Sequence, residues 1–433
     1  VRFLGVGDYC DLGDMYYRLA GSGHEVKVSI ASPRTADVYG GMIDVTHDWQ
    51  AELGWIRDAG KDGFVVFESA TMGGLQDDLR RDGFQVIGGS SYGDRLEADR
   101  EFGQAVLRDA GLCTAKSHRF TDFKRAIEFV RSSSVRFVLK SNGADSLRTR
   151  NYVGELEDGR DMIALLTLHA AQWRDNAAPD FVLMERVEGI EVGVGAYFNG
   201  EAFLQPACLD WEHKRFFAGD LGELTGEMGT IVTYEQSRRI FDRTLALIAH
   251  ELRQSGYCGY INLNLIINEE GLWPLEFTSR FGYPGFAICE SLHRESWADI
   301  FRKLASKTDL ALLTNDGFAA GVVLTVPPFP YTHGYDELSK GAPILFRSDM
   351  NDEDMQGLHL AEVAMIDAQL VTSGMLGYVG VATGIGSTVE AASANAYRLA
   401  RKVIVPNLRY RNDIGQRVCQ GGLERLASLG YIG

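Results

Sequence analysis

Apolar and polar positions alternate along this chain in two rhythms. Val1 to Val6 is a short apolar run that meets glycines at Gly5 and Gly7. The next stretch, through Tyr17 and Leu19, carries its apolar positions at helical spacing until Gly21-Ser22-Gly23 stops it. A second strand follows from Glu25 to Ile30, and two more short apolar runs, Phe64 to Phe67 and Gln85 to Ile87, are bounded by Gly or Asp. Strands separated by helices predict a doubly wound, mostly parallel sheet with a ligand crevice at the carboxyl ends of its strands.

Beyond this unit, Tyr92 to Ala110 reads as one charged, amphipathic helix. A smaller module follows, with a helix near Asp122 to Arg131 and strands at Val135 to Ser141, Asn151 to Val153 and Phe181 to Arg186. Glu191 to Leu209 alternates like a hairpin turning at Asn199-Gly200. Then come a glycine-rich loop from Asp210 to Gly229, a helix from Tyr234 to Ser255, and paired strands Tyr260 to Ile267 and Leu272 to Phe277 around the turn Asn268 to Gly271. A helix from Phe286 to Leu304 precedes a last α/β segment that starts near Pro327, Pro328 and Pro330. The fold class is α/β with α+β parts, in four regions: 1–113, 114–188, 189–326 and 327–433.

Composition narrows the function classes. With 45% hydrophobic and 24% charged residues the chain has ample material for cores, which excludes disorder over most of its length. A net charge of -16 works against non-specific binding of nucleic acid or anionic membrane. No apolar run reaches about 18 residues and no basic segment precedes an apolar one at the start, so neither a membrane span nor a signal peptide is expected. Six cysteines without a CxxC pair fit reduced thiols in a cytoplasmic enzyme better than a disulfide framework or a zinc site.

Five constellations can carry chemistry. Gly5-Val6-Gly7 fails as a dinucleotide fingerprint, because Cys10 stands where the third glycine belongs. Asp8, Asp11 and Asp14 crowd the helix start that follows, which favours an amine or other cation over a phosphate. Lys140 at a strand end, with Arg148 in the loop beyond, is either a nucleotide-phosphate clamp or a solvated strand end. Glu185 to Glu191 offers backbone groups to an adenine edge and a carboxylate to a ribose; the plain reading is a surface hairpin with acids. Asn262 and Asn264 recur at period two on one strand, as do Glu276 and Thr278 on the next, so each pair shares a face and its oxygens suit Mg²⁺. Glu212-His213-Lys214-Arg215 precedes recurrent glycines at Gly219, Gly222, Gly226 and Gly229, a loop that packs backbone against a ligand or closes over it.

In this order the segments resemble the glycinamide ribonucleotide synthetase family (phosphoribosylamine–glycine ligases) of the ATP-grasp superfamily. The resemblance rests on Leu96-Glu97 through Phe102 with Gly111 to Ala115, and on Phe137-Val138-Leu139-Lys140 with Gly143. It continues through His213-Lys214-Arg215 with Asp220, Gly222, Thr225-Gly226 and Met228-Gly229, and through Leu275-Glu276-Phe277 with Arg280-Phe281-Gly282. Gly377 to Ala400 runs parallel to the family, and the ending Tyr410 to Arg417 is similar to its C-terminal signature. The resemblance implies an ATP-grasp fold, with a doubly wound N-terminal domain, a small ATP-clamping domain, a central domain and a C-terminal domain. It implies that a carboxylate attacks the γ-phosphate of ATP and that an amine displaces the resulting acyl phosphate.

Residue roles follow from the same resemblance. Arg100 (where the family has lysine), Lys140 and Arg148 would hold ATP phosphates, while Glu185, Val187 and Glu191 would hold adenine and ribose. Glu276 would bind Mg²⁺, or Mn²⁺ in its place, with Asn264 or Thr278 as second ligand. Arg280, Lys214 and Arg215 would serve the acyl phosphate, and Asp8, Asp11, His213, Asp220, Thr225 and Gly226 would face substrates. The chain departs from the family at Asp8-Tyr9-Cys10-Asp11, Phe67-Glu68-Ser69-Ala70, Thr278 and Tyr283-Pro284-Gly285. The expectation is a cytoplasmic ATP-dependent carboxylate–amine ligase, monomer or homodimer, acting on small molecules, with an acceptor other than phosphoribosylamine. The alternatives are an authentic synthetase of purine biosynthesis and a non-catalytic ATP-binding protein.

Overall fold

The computed structural model describes residues 1–141, 151–173 and 178–433. Its N-terminal unit is a five-stranded parallel sheet in the order Asp44–Thr46, Glu25–Ile30, Arg2–Gly7, Gly63–Phe67, Gln85–Ile87. The order reverses at Arg2–Gly7, so a crevice opens beyond the ends of Arg2–Gly7 and Gly63–Phe67. Asp8, Asp11 and Glu68 stand at that point. The edge strand Asp44–Thr46 has no buried residue, which is why no apolar run announces it.

The single helix expected over Tyr92 to Ala110 is two, Ser91–Ala98 and Arg100–Asp109. Asp99 leaves helical geometry between them and caps the second, its side chain accepting from the Phe102 N–H at 3.0 Å. The small unit is a four-stranded antiparallel sheet, Ser117–Phe120, Phe181–Glu185, Phe137–Ser141 and Tyr152–Val153, carrying two helices. Helix Phe123–Arg131 was expected; Arg160–Gln172 was not, and it buries Met162 and Leu166 with Phe137, Leu139, Phe181 and Leu183.

Eight antiparallel strands form the central sheet, in the order Gly271–Thr278, Cys258–Asn268, Ile190–Asn199, Cys208–Glu212, Gly229–Thr233, Phe318–Thr325, Tyr378–Gly386, Leu358–Leu360. Phe318–Thr325 pairs with Tyr378–Gly386, so the sheet continues across residue 326, where the last regional boundary was expected. The glycine-rich stretch from Asp210 to Gly229 is only partly loop: Arg215–Phe217 and Leu221–Leu224 pair as a small hairpin within it. The expected helix from Tyr234 to Ser255 is broken into Arg238–Asp242, the 3-10 turn Leu245–Ile248 and Ala249–Gln254. Likewise Phe286 to Leu304 splits into Gly285–Glu290 and Trp297–Ser306, with the Ser296 side chain capping the second.

Strand Cys258–Asn268 fixes how the sheet is oriented. Ile261, Leu263, Leu265 and Ile267 are fully buried on one face, each contributing about 2 kcal/mol of transfer free energy. Asn262 and Asn264 occupy the other. A one-residue slip would exchange the two sets, so burial of the aliphatic face determines where the asparagines point. No helix among the described residues is long and apolar enough to cross a membrane.

Candidate active site

The polar face of the central sheet is the floor of a cleft of about 670 Å³. Its register aligns Glu276 with Asn264, Asn264 with Gly193, and Gly193 with Asp210. A parallel row runs from Thr278 through Asn262 to Gly195, and Glu212 stands opposite Thr230 one strand further on. Gly193 and Gly195 are needed here for space. A methyl group on Gly193 would collide with the Asp210 carboxylate, and one on Gly195 with the Tyr260 hydroxyl and the Asn262 amide. The central strand thus gives up two side chains so that its neighbours can fold over it.

Three cations converge on Glu276. Arg100 Nη2 lies 3.5 Å and Lys140 Nζ 3.6 Å from Glu276 Oε2, and Lys214 Nζ lies 3.7 Å from Oε1. These separations exceed the roughly 2.7–2.9 Å of a tight charge-assisted hydrogen bond, so Glu276 is surrounded rather than clasped. Arg100 comes from the helix after Asp99, Lys140 from the small unit and Lys214 from the central sheet's connection, so three parts of the fold meet at one carboxylate. Lys214 also reaches Glu212 at 3.0 Å and Glu191 at 3.4 Å. Burial opposes its charge, yet Glu212, Glu191 and Glu276 lift the ammonium well above the ordinary lysine value. Lys140 moves the other way: burial lowers it, and Arg100 and Lys214 add to that against the pull of Glu276.

The opposite wall comes from the N-terminal unit. Arg280 Nε donates to Glu97 Oε1 at 3.1 Å, and the Ser279 N–H donates to Glu97 Oε2 at 2.8 Å, so one carboxylate fixes the turn after the metal-type strand. Glu68 is 3% exposed and accepts from the Asp11 N–H at 2.9 Å. Burial, reinforced by the Asp11 charge, pushes the Glu68 carboxyl up to about 8. On the sheet itself Asp210 is also raised, by burial first and by Glu212 next; Asn262 Nδ2 donates to it at 2.6 Å.

Arg100, Glu276, Asn264, Thr278, Lys214, Thr225, Gly226, Arg280, Asp8 and Asp11 line the cleft. Lys140 and Glu191 reach it through the ion pairs above. Glu185 and Val187 line a separate opening beside Lys116, Arg136 and Trp273, with Glu185 Oε1 3.8 Å from Lys116 Nζ. Arg148 lies outside the described residues. Three further expected residues do not face the cleft. His213 is fully buried, its Nε2 accepting from the Gly415 N–H at 3.2 Å, and burial with Arg417 and Arg411 lowers it to about 3. Asp220 pairs with Arg411 at 2.8 Å, and Arg215 turns its guanidinium onto the Gly222 carbonyl at 2.7 Å.

The C-terminal segment therefore braces the Lys214 connection. Arg411 donates to the Arg215 carbonyl at 3.0 Å, Asp413 accepts from the Gly219 N–H at 2.8 Å, and Arg417 donates to the Glu212 carbonyl. His213 is a joint in this brace because alternation along the strand points it away from Glu212. Sequence reasoning gave Glu212, Asp210, Glu97 and Glu68 no assigned role, and Asn262 only a share in the face that suits Mg²⁺. Asp210 and Glu212 do recur at period two, but their shared face becomes informative only once the strand order puts them beside Asn262 and Asn264.

Glu276, Glu212 and Asn264 all line the cleft, and Asn264 Nδ2 donates to Glu212 Oε2 at 3.3 Å. This is an oxygen donor set of the kind that suits Mg²⁺, and the surrounding cations suit the phosphates it would accompany. Residues 98–286 match the family model described as phosphoribosylglycinamide synthetase, ATP-grasp (A) domain. A phosphoribosylamine–glycine ligase of Pseudomonas aeruginosa is 28% identical over 360 residues, covering 81% of each chain. The crystal structure of the phosphoribosylamine–glycine ligase of Thermotoga maritima superposes with a TM-score of 0.70 at 23% identity, over 96% of this chain and 100% of that one. The biotin carboxylase domain of Hydrogenobacter thermophilus 2-oxoglutarate carboxylase, solved with MgADP, ADP and bicarbonate, gives 0.62 at 11% identity, over 94% and 91%. The fold is ATP-grasp.

Proposed function

We propose that this chain, which has the ATP-grasp fold and matches the phosphoribosylglycinamide synthetase ATP-grasp domain over residues 98–286, joins a carboxylate to an amine with conversion of ATP to ADP and phosphate. The observation that carries this reading is the convergence of Arg100, Lys140 and Lys214 on Glu276 over the cleft floor. A carboxylate oxygen of the donor attacks the γ-phosphorus, and the bond from that phosphorus to the ADP oxygen breaks. The amine lone pair then attacks the acyl carbon, the bond to phosphate breaks, and the nitrogen gives up a proton. Such transfer depends on positioning and charge neutralisation.

Lys140 and Arg100 offset the charge of the transferred phosphoryl group, and Lys214 holds Glu212, Glu191 and Glu276 in place for it. Arg280, steadied by Glu97, is placed to bind the donor carboxylate or the acyl phosphate. Mg²⁺, held by Glu276 with Asn264 or Glu212, would neutralise phosphate charge and orient the γ-phosphate.

Two substrate pairs compete. The curated relatives are phosphoribosylamine–glycine ligases, which makes phosphoribosylamine and glycine the first pair to test. One observation favours a different amine: Asp8 and Asp11 line the crevice where an anionic acceptor would meet repulsion. The deciding measurement is Mg²⁺-dependent ADP release with glycine and freshly generated phosphoribosylamine, beside a panel of other carboxylates and amines. Release confined to the first pair makes the protein a synthetase of the relatives' kind. Release with another pair makes it a ligase of altered acceptor, and no ADP release with any pair, despite tight ATP binding, would count against ligase activity.

A further inference from the structure

We infer that the protein has a second anion site, a cavity between the N-terminal unit and the central sheet that binds a phosphate group. The cavity measures about 700 Å³ and shares no lining residue with the cleft, so the inference does not depend on the ligase reading.

The charged groups of its lining are Arg80, Arg81 and Lys307 against one acid, Asp77, an excess of cations in a chain whose net charge is -16. That acid is largely committed elsewhere. Asp77 Oδ2 accepts from the Ser91 N–H at 3.0 Å and from the Ser91 hydroxyl at 2.5 Å, while Oδ1 stands 3.4 Å from Arg80 Nη1. Burial weighs against the Arg80 charge and keeps the guanidinium below the ordinary arginine value, so Asp77 does not offset its desolvation. Arg81 turns to Asp78 on the surface, which leaves Arg80 and Lys307 to the cavity. A neutral donor joins them. Asn199 is fully buried and lines the cavity; its Oδ1 accepts from the Glu201 and Ala202 N–H groups at 2.9 and 2.8 Å, which identifies the other atom as nitrogen. That Nδ2 has no hydrogen-bond partner among the described residues, and a buried donor belongs opposite an acceptor.

Contacts on one strand pair bring the three donors together. Asn199 and Cys258 are register partners on adjacent antiparallel strands, about 5 Å apart. Arg80 Nη2 lies 3.5 Å from the Cys258 carbonyl oxygen. Lys307 Nζ lies 3.2 Å from the point where a methyl group on Gly200 would stand, and Gly200 has a φ of +87°, so the glycine both makes the turn and lets the lysine lie on it. Lys307 is half-exposed and also stands 3.5 Å from Glu201, a weak surface pair. Both cations act on the Cys258 thiol, pulling it down against the burial that raises it. Two cations and an amide donor around one strand pair call for a ligand with several oxygens and more than one negative charge. A phosphate group supplies both, whereas a single carboxylate has two oxygens for three donors.

The test is calorimetric titration of the full chain with inorganic phosphate and with glycerol 3-phosphate, in Mg²⁺ and a non-hydrolysable ATP analogue that covers the cations of the cleft. Potassium chloride at the same ionic strength is the control. Hydrogen exchange read by mass spectrometry locates the binding: residues 84–88 and 198–202 should exchange more slowly with phosphate or the ester present than with chloride. Lys307→Gln removes one charge, and Asn199→Asp keeps the oxygen that holds the turn while replacing the free donor with an acceptor. Each should weaken binding at least about tenfold. Tighter binding of glycerol 3-phosphate identifies an ester as the source of the group, and tighter binding of inorganic phosphate the free ion; either bears the site out. No saturable binding at millimolar phosphate or ester, affinities indifferent to both substitutions, or slowed exchange confined to residues 210–214 and 276–282 of the cleft would overturn it. If Asn199→Asp does not fold, Lys307→Gln and the exchange pattern of the wild type decide.

Discussion

The two sides of the cleft treat carboxylates in opposite ways. Around Glu276 every acid has a cation in reach: Lys214 touches Glu191, Glu212 and Glu276, while Arg100 and Lys140 share Glu276. Across the cleft Glu68 is buried with the Asp11 charge as its strongest electrostatic neighbour, and its pKa climbs to about 8. The compensated side keeps its charges at neutral pH and is suited to steering phosphate. The uncompensated side holds charge in reserve until a cation arrives. The difference teaches that one cleft can pair its carboxylates with cations at one end and leave one uncompensated at the other without any change of fold.

The sharpest way to test the contrast is through pH. The Glu68 carboxyl is raised from 4.5 to about 8, so the protonated form is the one that stabilises the fold. That stabilisation is complete below the unfolded value near 4.5 and is lost as pH rises through 8. The whole difference is about 5 kcal/mol. Urea unfolding between pH 5 and 9 should show falling stability in the wild type and a much flatter profile in Glu68→Gln; parallel profiles would mean that Glu68 is already compensated.

On the other side, Glu276→Gln should lower ADP release about 10²–10³-fold with a melting temperature close to that of the wild type, because the change removes charge and little volume. A loss under threefold would remove Glu276 from the phosphate machinery. The smallest expected effect converts one side into the other. Lys214→Met leaves Glu191, Glu212 and Glu276 to repel one another, and unfolding should become easier by about 2–3 kcal/mol, a figure reduced because the lysine is a quarter exposed. Adding Glu212→Gln to Lys214→Met should recover part of the loss; no recovery would show that packing, not charge, was removed.

Much of this architecture is legible in the sequence where burial writes it. The strands Arg2–Gly7 and Gly63–Phe67 are apolar runs because they are covered on both faces or nearly so, Glu25–Ile30 alternates with Val26 and Val28 buried beside an exposed Glu25 and a half-buried Lys27, and the alternation in Cys258–Asn268 places Asn262 and Asn264 on the polar face. Glu276 and Asn264 can be paired from the short turn between their strands. What the linear pattern does not carry is which strand lies beside which. Asp210 reaches Asn262 only because Ile190–Asn199 lies between their strands and has glycine at both crossing points. For the same reason His213 sits beside lysine and arginine in sequence yet lies in the interior, joined to Gly415 from some two hundred residues away. The break at Asp99 was readable in principle, since an aspartate three residues before Phe102 is a cap; the continuous charge pattern around it hides the interruption.

The brace made by Arg411, Asp413 and Arg417 gives the site a place in time as well as in space. The segment that carries Glu212 and Lys214 emerges from the ribosome roughly 200 residues before the arginines that donate to its carbonyls. At about 5–20 residues per second this is an interval of some 10–40 s. Through that interval the connection that carries Lys214 lacks the hydrogen bonds that Arg411, Asp413 and Arg417 supply. The floor of the cleft is therefore braced only after some 200 further residues have been made, and any nucleotide bound earlier would meet a floor still missing its back support.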